Sequence, residues 1–406
     1  MTPLLLAWRN LTHKRGRTTI AAGGVGFAVI LIFMEVGLLG GVGKTATMLA
    51  DKLNFDLILT SSEYLDISRT GEFPRSRLAR AYSVTGVVEV IPVYVGAGGW
   101  RLPSQTGLFG TTPGGGVTSI NMLAIPPGQA DRAFLIGREG VFPTLDDARV
   151  NGAAIARLDA FLFDRRSKPE FGSVAALMAA SRDISQSDPI RLNGKQATIV
   201  GEFDLGTGFS WNGMLLCSEE TYTRFAGRSS EVIDFGLVQL APGTDVSAAQ
   251  RELRAVLPPD VNVLTRDEYN SAERRFWMRV TSVGQFLVVA VILAIVVGII
   301  FVYQMMAADI RNMLPEYATV KALGYRPPYL TGVVLWQAAL LAVMGYVPGF
   351  VAAIGLYAVA REYGGIPTGM TTEAAVGVLV LTLGMCLASG MLAVRKVHSV
   401  DPADLF

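Results

Sequence analysis

The 406-residue chain is poor in cysteine, histidine and charge, and each scarcity removes a class of function. Its two cysteines, Cys217 and Cys386, lie far apart, and Cys386 sits inside an apolar run, so no disulfide framework is expected. Both read as small buried apolar residues. The two histidines, His13 and His398, have no His or Cys at ligand spacing beside them, which argues against a metal centre. Charged residues make up 17% of the chain, against about 25% in soluble domains. The net charge is +1, and Lys and Arg cluster at the ends of apolar runs without forming a basic face, so nucleic acid is not an expected partner. No nucleophile, base and orienting group stand out together, so the expectation is a chain that is not an enzyme and binds no cofactor itself.

What the chain has in abundance is apolar surface. Hydrophobic residues reach 51%, and the mean hydropathy of +0.40 exceeds what a single core would hide. Four runs are long enough to cross a bilayer, which takes about 20 helical residues: 20–42, 283–306, 330–359 and 374–394. The third contains Pro348, so a kink or tilt is expected there. The first follows Arg9, Lys14, Arg15 and Arg17, but it is too long for a signal-peptide core and reads as a retained span.

Positive charge at 1–19, and at Arg395 and Lys396 in the tail 395–406, places both ends in the cytoplasm. Residues 43–282 then form a large extracytoplasmic domain, and 307–329 a short cytoplasmic connection. The fold class is thus an integral membrane α-helical protein of four transmembrane helices, with a large α+β extracytoplasmic domain inserted between helices 1 and 2. The lipid bilayer is its first partner.

Within 43–282, FDLILTS from Phe55, GVVEVIPVYV from Gly86 and QATIVGEF from Gln196 predict strands. Helices are expected at 76–82 and 246–257, the second with Ala248, Leu253, Val256 and Leu257 on its apolar side. Glycines at 96–99 and 114–116 predict loops. Whether the domain holds one core or two subdomains stays open. GVGKT at 41–45 resembles the tail of a phosphate-binding loop, but Leu38 stands where the pattern needs glycine, and the topology puts the segment on the side lacking ATP. It is expected to be a flexible exit from the first span.

Glu35 lies inside the first apolar run, where an ionisable group is costly and a functional role must be considered. Snorkelling or a helix contact is the plainer alternative, with Gly37, Gly40 and Gly41 nearby leaving room. The glycines of this run, including Gly23, Gly24 and Gly26, suit close helix packing, in a dimer or within the chain.

The segment EYATVKALGY at 316–325 follows Pro315 and precedes Pro327 and Pro328, which predicts a compact helix with Pro at its first turn. Tyr317, Val320 and Leu323 form an apolar edge that a soluble partner could grip, or that could lie on the membrane surface. The N-terminal stretch LLLAWRNLTHKRGR has a comparable edge at Leu4, Trp8 and Leu11, with basic residues suited to anionic headgroups, and is expected on the membrane surface.

The layout of one span, a large domain and three spans resembles the MacB/FtsX superfamily of ABC permeases. More specifically it resembles the DevC branch, through LAWRNLTHKRGRT, LFDRRSKPEFG at 162–172, VGEFDLGTGFSWNG at 200–213, LPPDVNVLT from Leu257, EYATVKALGY and the terminal DPADLF. The segment Ile310-Arg311-Asn312-Met313 departs from the pattern. The resemblance implies a homodimeric permease in a bacterial inner membrane that docks a separate ABC ATPase, where ATP and magnesium bind. It further implies a periplasmic adaptor (membrane fusion) protein and, through it, an outer-membrane duct. Glu316, Tyr317, Val320, Lys321, Leu323 and Gly324 are the implied ATPase-coupling positions. A tripartite exporter of a lipid-like or amphipathic substrate, glycolipid by resemblance, is the implied function; the alternative is a non-transporting mechanotransmission subunit that regulates a periplasmic partner.

Overall fold

The computed structural model describes residues 2–13, 15–102, 105–107, 110–112, 116–182, 189–208, 211–322, 327–364 and 367–398. The chain divides into a helical unit, Met1–Gly41 with Ser282–Phe406, and a sheet unit, Val42–Thr281.

Apolar composition over long stretches builds the helical unit. Four helices are long and apolar enough to cross a membrane: Arg15–Lys52, Ser282–Ala322, Pro327–Gly364 and Thr372–His398. They are called here the first to fourth long helices, and each contains one of the expected spans. The third carries Pro348 in its interior without ending there. A short helix, Pro3–His13, packs on the third long helix through Ala7 and Leu11, leaving Leu4, Leu5 and Trp8 exposed. Ala7 and Leu11 form the packed side of this helix, and of the Leu4–Trp8–Leu11 edge only Leu11 is buried. Glycine lets the first and third long helices approach closely. A Cβ at Gly26 would stand 3.2 Å from the Gly345 carbonyl oxygen, and one at Gly349 would meet Val29 at 2.8 Å. Gly24 faces Phe301 and Gly37 faces Tyr357, while nothing lies within 4 Å of a Cβ at Gly23 or Gly40. Some of the glycines read as packing positions thus serve contacts within the chain.

GVGKT at 41–45 is neither a phosphate loop nor a flexible exit. These residues lie inside the first long helix, which runs unbroken to Lys52. The reason is the flanking sequence: helix formers on both sides, ending in ATMLADK, outweigh the roughly 1 kcal/mol per glycine that helix propensity costs.

The sheet unit is built on eight main strands: β1 Leu57–Ser61, β2 Val87–Arg101, β3 Thr118–Ile125, β4 Ala160–Asp164, β5 Thr198–Phe203, β6 Met214–Ser218, β7 Phe235–Leu240 and β8 Val261–Thr265. Their order is β5-β4-β6-β3-β2-β7-β1-β8, with β5–β4 and β6–β3 parallel and the other pairs antiparallel. Alternation along each strand feeds a core on each face. In β1, Leu57 and Leu59 join one cluster and Ile58 the other; in β4, Phe161 and Phe163 separate likewise from Leu162. Helices cover both faces, so the domain is one mixed sheet between two cores rather than two subdomains. The first face takes Tyr222, Phe225, Ala249 and Leu253, the second Leu49, Leu53, Phe134 and Tyr269.

Two sequence expectations change here. Gly96, Gly98 and Gly99 belong to β2, not to a loop. Side chains from elsewhere fill the space above them: a Cβ at Gly96 would meet the Tyr222 hydroxyl at 2.6 Å, and one at Gly98 would meet Leu192 at 2.7 Å. Of the loop expected at 114–116, Gly114 and Gly115 lie outside the described residues. The helix expected at 246–257 is Val246–Val256, but it buries Ala249, Gln250 and Leu253, with Leu257 beyond its end, while Val256 points outward.

Candidate functional site

The coupling positions fall at the end of a helix much longer than a membrane crossing needs. The second long helix has 41 residues, about 60 Å at 1.5 Å each, against a hydrocarbon core of about 30 Å. Its apolar run in the sequence is 283–306, and from Asp309 the sequence turns polar, so residues 309–322 continue the same helix for about 20 Å more. Glu316, Tyr317, Val320 and Lys321 lie in this extension; Leu323 and Gly324 lie outside the described residues. The separate compact helix beginning at Pro315 is therefore corrected to a helical extension of the span. Proline removes one main-chain donor and disfavours the preceding turn, yet the helix formers around Pro315 carry the chain through it.

Glu35 sits on the first long helix, half-buried, and its Oε2 is buried with no hydrogen-bond partner among the described residues. Two residues earlier the Phe33 carbonyl accepts the Tyr357 hydroxyl, and Thr368 donates to the Tyr357 carbonyl at 3.3 Å. Phe33 also packs on Tyr346 and Phe350, with ring centroids 5.9 and 5.8 Å away. Glu35 thus rises from a packed stretch of helix with one carboxyl oxygen unpartnered among the described residues.

In the sheet unit, two of the segments that carry the family resemblance are neighbours. β4, from 162–172, pairs in parallel with β5, from 200–213, and their ends meet around two aspartates. Asp164, fully buried, accepts main-chain N–H groups from Arg166 and Leu205 at 3.1 Å and Gly206 at 2.9 Å. Burial nonetheless raises its pKa, with the three donors acting in the opposite direction. Asp204 pairs with Arg165 at 2.8 Å and Arg166 at 2.6 Å. An open groove of about 850 Å³ runs beside this junction, lined by Arg165, Ser167, Val174, Met178 and Glu202 among others.

Helix Arg266–Arg275 organises the other end of the sheet. It starts with a capping box in which Thr265 and Glu268 satisfy each other's main-chain donors. Arg266 donates to the carbonyls of Ala50, Leu53 and Phe55, closing the end of the first long helix within the sheet unit. At its far end this helix holds Glu273, fully buried, and then passes into a π-helical turn, Phe276–Val280. The sequence reading missed Asp164, Asp204 and Glu273. An acid at the end of an apolar strand, as in AFLFD, was the available signal for the first; Glu273 lies in the highly charged RDEYNSAERR and carries none.

Residues 288–402, covering the second, third and fourth long helices and the coupling positions, match the family described as FtsX-like permease C-terminal. Over these residues the chain is similar to the FtsX-like permeases. The first long helix and the sheet unit precede the matched region. No curated protein matches the chain. Similar solved structures include the periplasmic region of MacB from Actinobacillus actinomycetemcomitans, 12% identical over 52% of this chain and 88% of that one, TM-score 0.33. Another is the extracellular domain of the noncanonic ABC-type transporter YknZ from Gram-positive bacteria, 14% identical over 53% of this chain and 98% of that one, TM-score 0.31.

Proposed function

We propose that this permease is the membrane subunit of a tripartite ABC exporter of the DevC kind, passing the ATP-driven motion of a separate ATPase to its sheet unit. The observation that carries the reading is the helical extension 309–322, which lies within the FtsX-like region and projects well past the apolar stretch of its own span. A stiff helix end that a soluble ATPase can grip moves as one body with its span. ATP and magnesium belong to that ATPase, and this chain binds no cofactor.

The subunit works as a homodimer in a bacterial inner membrane, with the sheet unit in the periplasm. There it meets an adaptor (membrane fusion) protein and, through it, an outer-membrane duct. The substrate class is lipid-like or amphipathic, a glycolipid by family resemblance, driven outward by motion of the sheet unit. Coupling runs through Glu316, Tyr317, Val320, Lys321, Leu323 and Gly324.

Purification with a candidate partner ATPase tests the reading. A stable complex is expected whose ATP hydrolysis responds to the permease, and Val320→Asp should abolish that response. Failure to form a complex, or indifference of hydrolysis to Val320→Asp, overturns the coupling assignment. Lipid accumulation in a deletion strain is the expected export phenotype; intact export would favour a regulator of a periplasmic partner instead.

A further inference from the structure

Glu273 stands in an acidic, aromatic enclosure just before the sheet unit ends. Tyr64, from the loop after β1, donates its hydroxyl to Glu273 Oε1 and lies 2.7 Å from the Tyr269 hydroxyl. The rings of Tyr64 and Tyr269 pack at 5.6 Å, and both lean on Phe235 of β7, at 5.7 and 6.1 Å. Glu273 Oε2 and the indole nitrogen of Trp277, one helical turn later, are both buried without a partner of hydrogen-bonding geometry among the described residues.

The charged and titratable groups facing the carboxyl come from two elements. The loop after β1 supplies Tyr64 and the buried Asp66, with Arg69 paired to Asp66 at 3.2 Å; Glu273's own helix supplies Tyr269. The Arg69 guanidinium is committed elsewhere as well, lying 5.0 Å over the ring of Phe276, the first residue of the π-helical turn. Glu273 is therefore a buried acid beside a second acid, with no cation paired to it among the described residues.

We propose that Glu273 is a proton-binding site of the sheet unit: with its carboxyl neutral, the Tyr64–Tyr269 enclosure closes on the π-helical turn Phe276–Val280, and ionisation loosens that turn. The chemistry supports the direction. Burial comes first among the effects that push the Glu273 pKa up to about 7, and Asp66 adds to it, against the Tyr64 hydroxyl, the Ile67 main-chain N–H and the Trp277 indole. An ionised carboxylate there would keep its charge beside Asp66 with no cation paired to it and one oxygen without a well-formed hydrogen bond among the described residues, which favours any state that admits water. Single π-helical turns recur at functional sites because a small change in main-chain bonding resets the helix beyond them. This turn is closed by the Thr281 N–H on the Phe276 carbonyl at 3.2 Å. The inference stands on the geometry of the sheet unit and holds whether or not the chain exports.

The sign follows from linkage. A carboxyl whose closed-state pKa is raised favours the closed state fully below its ordinary value, 4.5, and loses that advantage as pH rises toward 7. Hydrogen exchange of the full-length protein in lipid nanodiscs, corrected for intrinsic exchange, reads this directly. Protection of the amides at 276–281 should fall from about pH 4.5, by roughly 80-fold at pH 7, and level off above about pH 8 at a total loss of roughly 300-fold. Glu273→Gln, which keeps the shape without the charge, should hold protection flat to within about twofold over the same range. Asp66→Asn removes the facing negative charge and should move the transition to lower pH, a displacement that a purely structural role for Asp66 would not cause. A flat wild-type profile, or the same pH profile in Glu273→Gln, overturns the proposal.

Discussion

Arg266 lays its guanidinium over the ring of Phe55 at 4.1 Å while donating to the Phe55 carbonyl at 3.0 Å. The same side chain reaches the carbonyls of Ala50 and Leu53, main-chain acceptors that the end of the first long helix cannot satisfy internally. A planar, multi-donor cation suits this task, and lysine does not. Arg266→Lys is expected to destabilise the sheet unit by about 2 kcal/mol, from two lost charge-assisted hydrogen bonds and the stacking contact. Chemical denaturation followed by tyrosine and tryptophan fluorescence measures it. A change below about 0.5 kcal/mol would mean that water satisfies these carbonyls equally well.

Gly37 and Gly40 are three residues apart on one helix and predict opposite outcomes. A Cβ at Gly37 would stand 2.5 Å from the Tyr357 ring, whose hydroxyl is fixed on the Phe33 carbonyl, so the ring cannot swing away freely. Gly37→Ala should cost about 1–3 kcal/mol by overpacking. Gly40→Ala meets nothing within 4 Å and should be neutral or slightly stabilising. Thermal unfolding of both variants in the same detergent separates them. A large loss for Gly40→Ala would point to a second copy packed on that face.

Much of this architecture was legible in the sequence because bilayer physics is coarse: twenty apolar residues in a row announce a helix whatever surrounds them. The sheet unit was less so. Gly96, Gly98 and Gly99 look like loop residues, and only Tyr222, Leu192 and Val117, distant in sequence, explain why a strand needs glycine there. The helix Val246–Val256 was located by its period, yet its inward stripe was displaced, because Gln250 takes a core position by donating to the Val263 carbonyl. At the coupling segment, the EYATVKALGY motif suggests a helix, and the chain is helical there to Ala322. Local proline rules then suggested a boundary at Pro315 that the surrounding helix formers override.

Glu35 gives a prediction in which stability and activity part company. Its buried oxygen, unpartnered among the described residues, costs folding energy, so Glu35→Leu should raise the thermal stability of the protein, by about 1–2 kcal/mol. If the carboxyl contacts the substrate or a proton during the cycle, export should fall in the same variant at unchanged protein abundance. Thermal unfolding and export assays on one preparation read both quantities. Lower stability would show that Glu35 has a partner in the membrane, either lipid or a second copy of the chain.

The continuity of the second long helix can be tested by shifting its phase. One alanine inserted between residues 309 and 314 turns everything beyond it by about 100° and advances it by about 1.5 Å. Glu316, Tyr317, Val320 and Lys321 then face a different direction from the same span. Four inserted alanines advance the end by about 6 Å but return the face to within about 40°. In a rigid extension gripped by the ATPase, the single insertion should abolish permease-dependent ATP hydrolysis, and the four-residue insertion should recover part of it. A flexible tether would tolerate both insertions equally, and an ATPase that docks elsewhere would ignore both. Only a helix that keeps its phase from Ser282 to Ala322 gives loss with one residue and recovery with four.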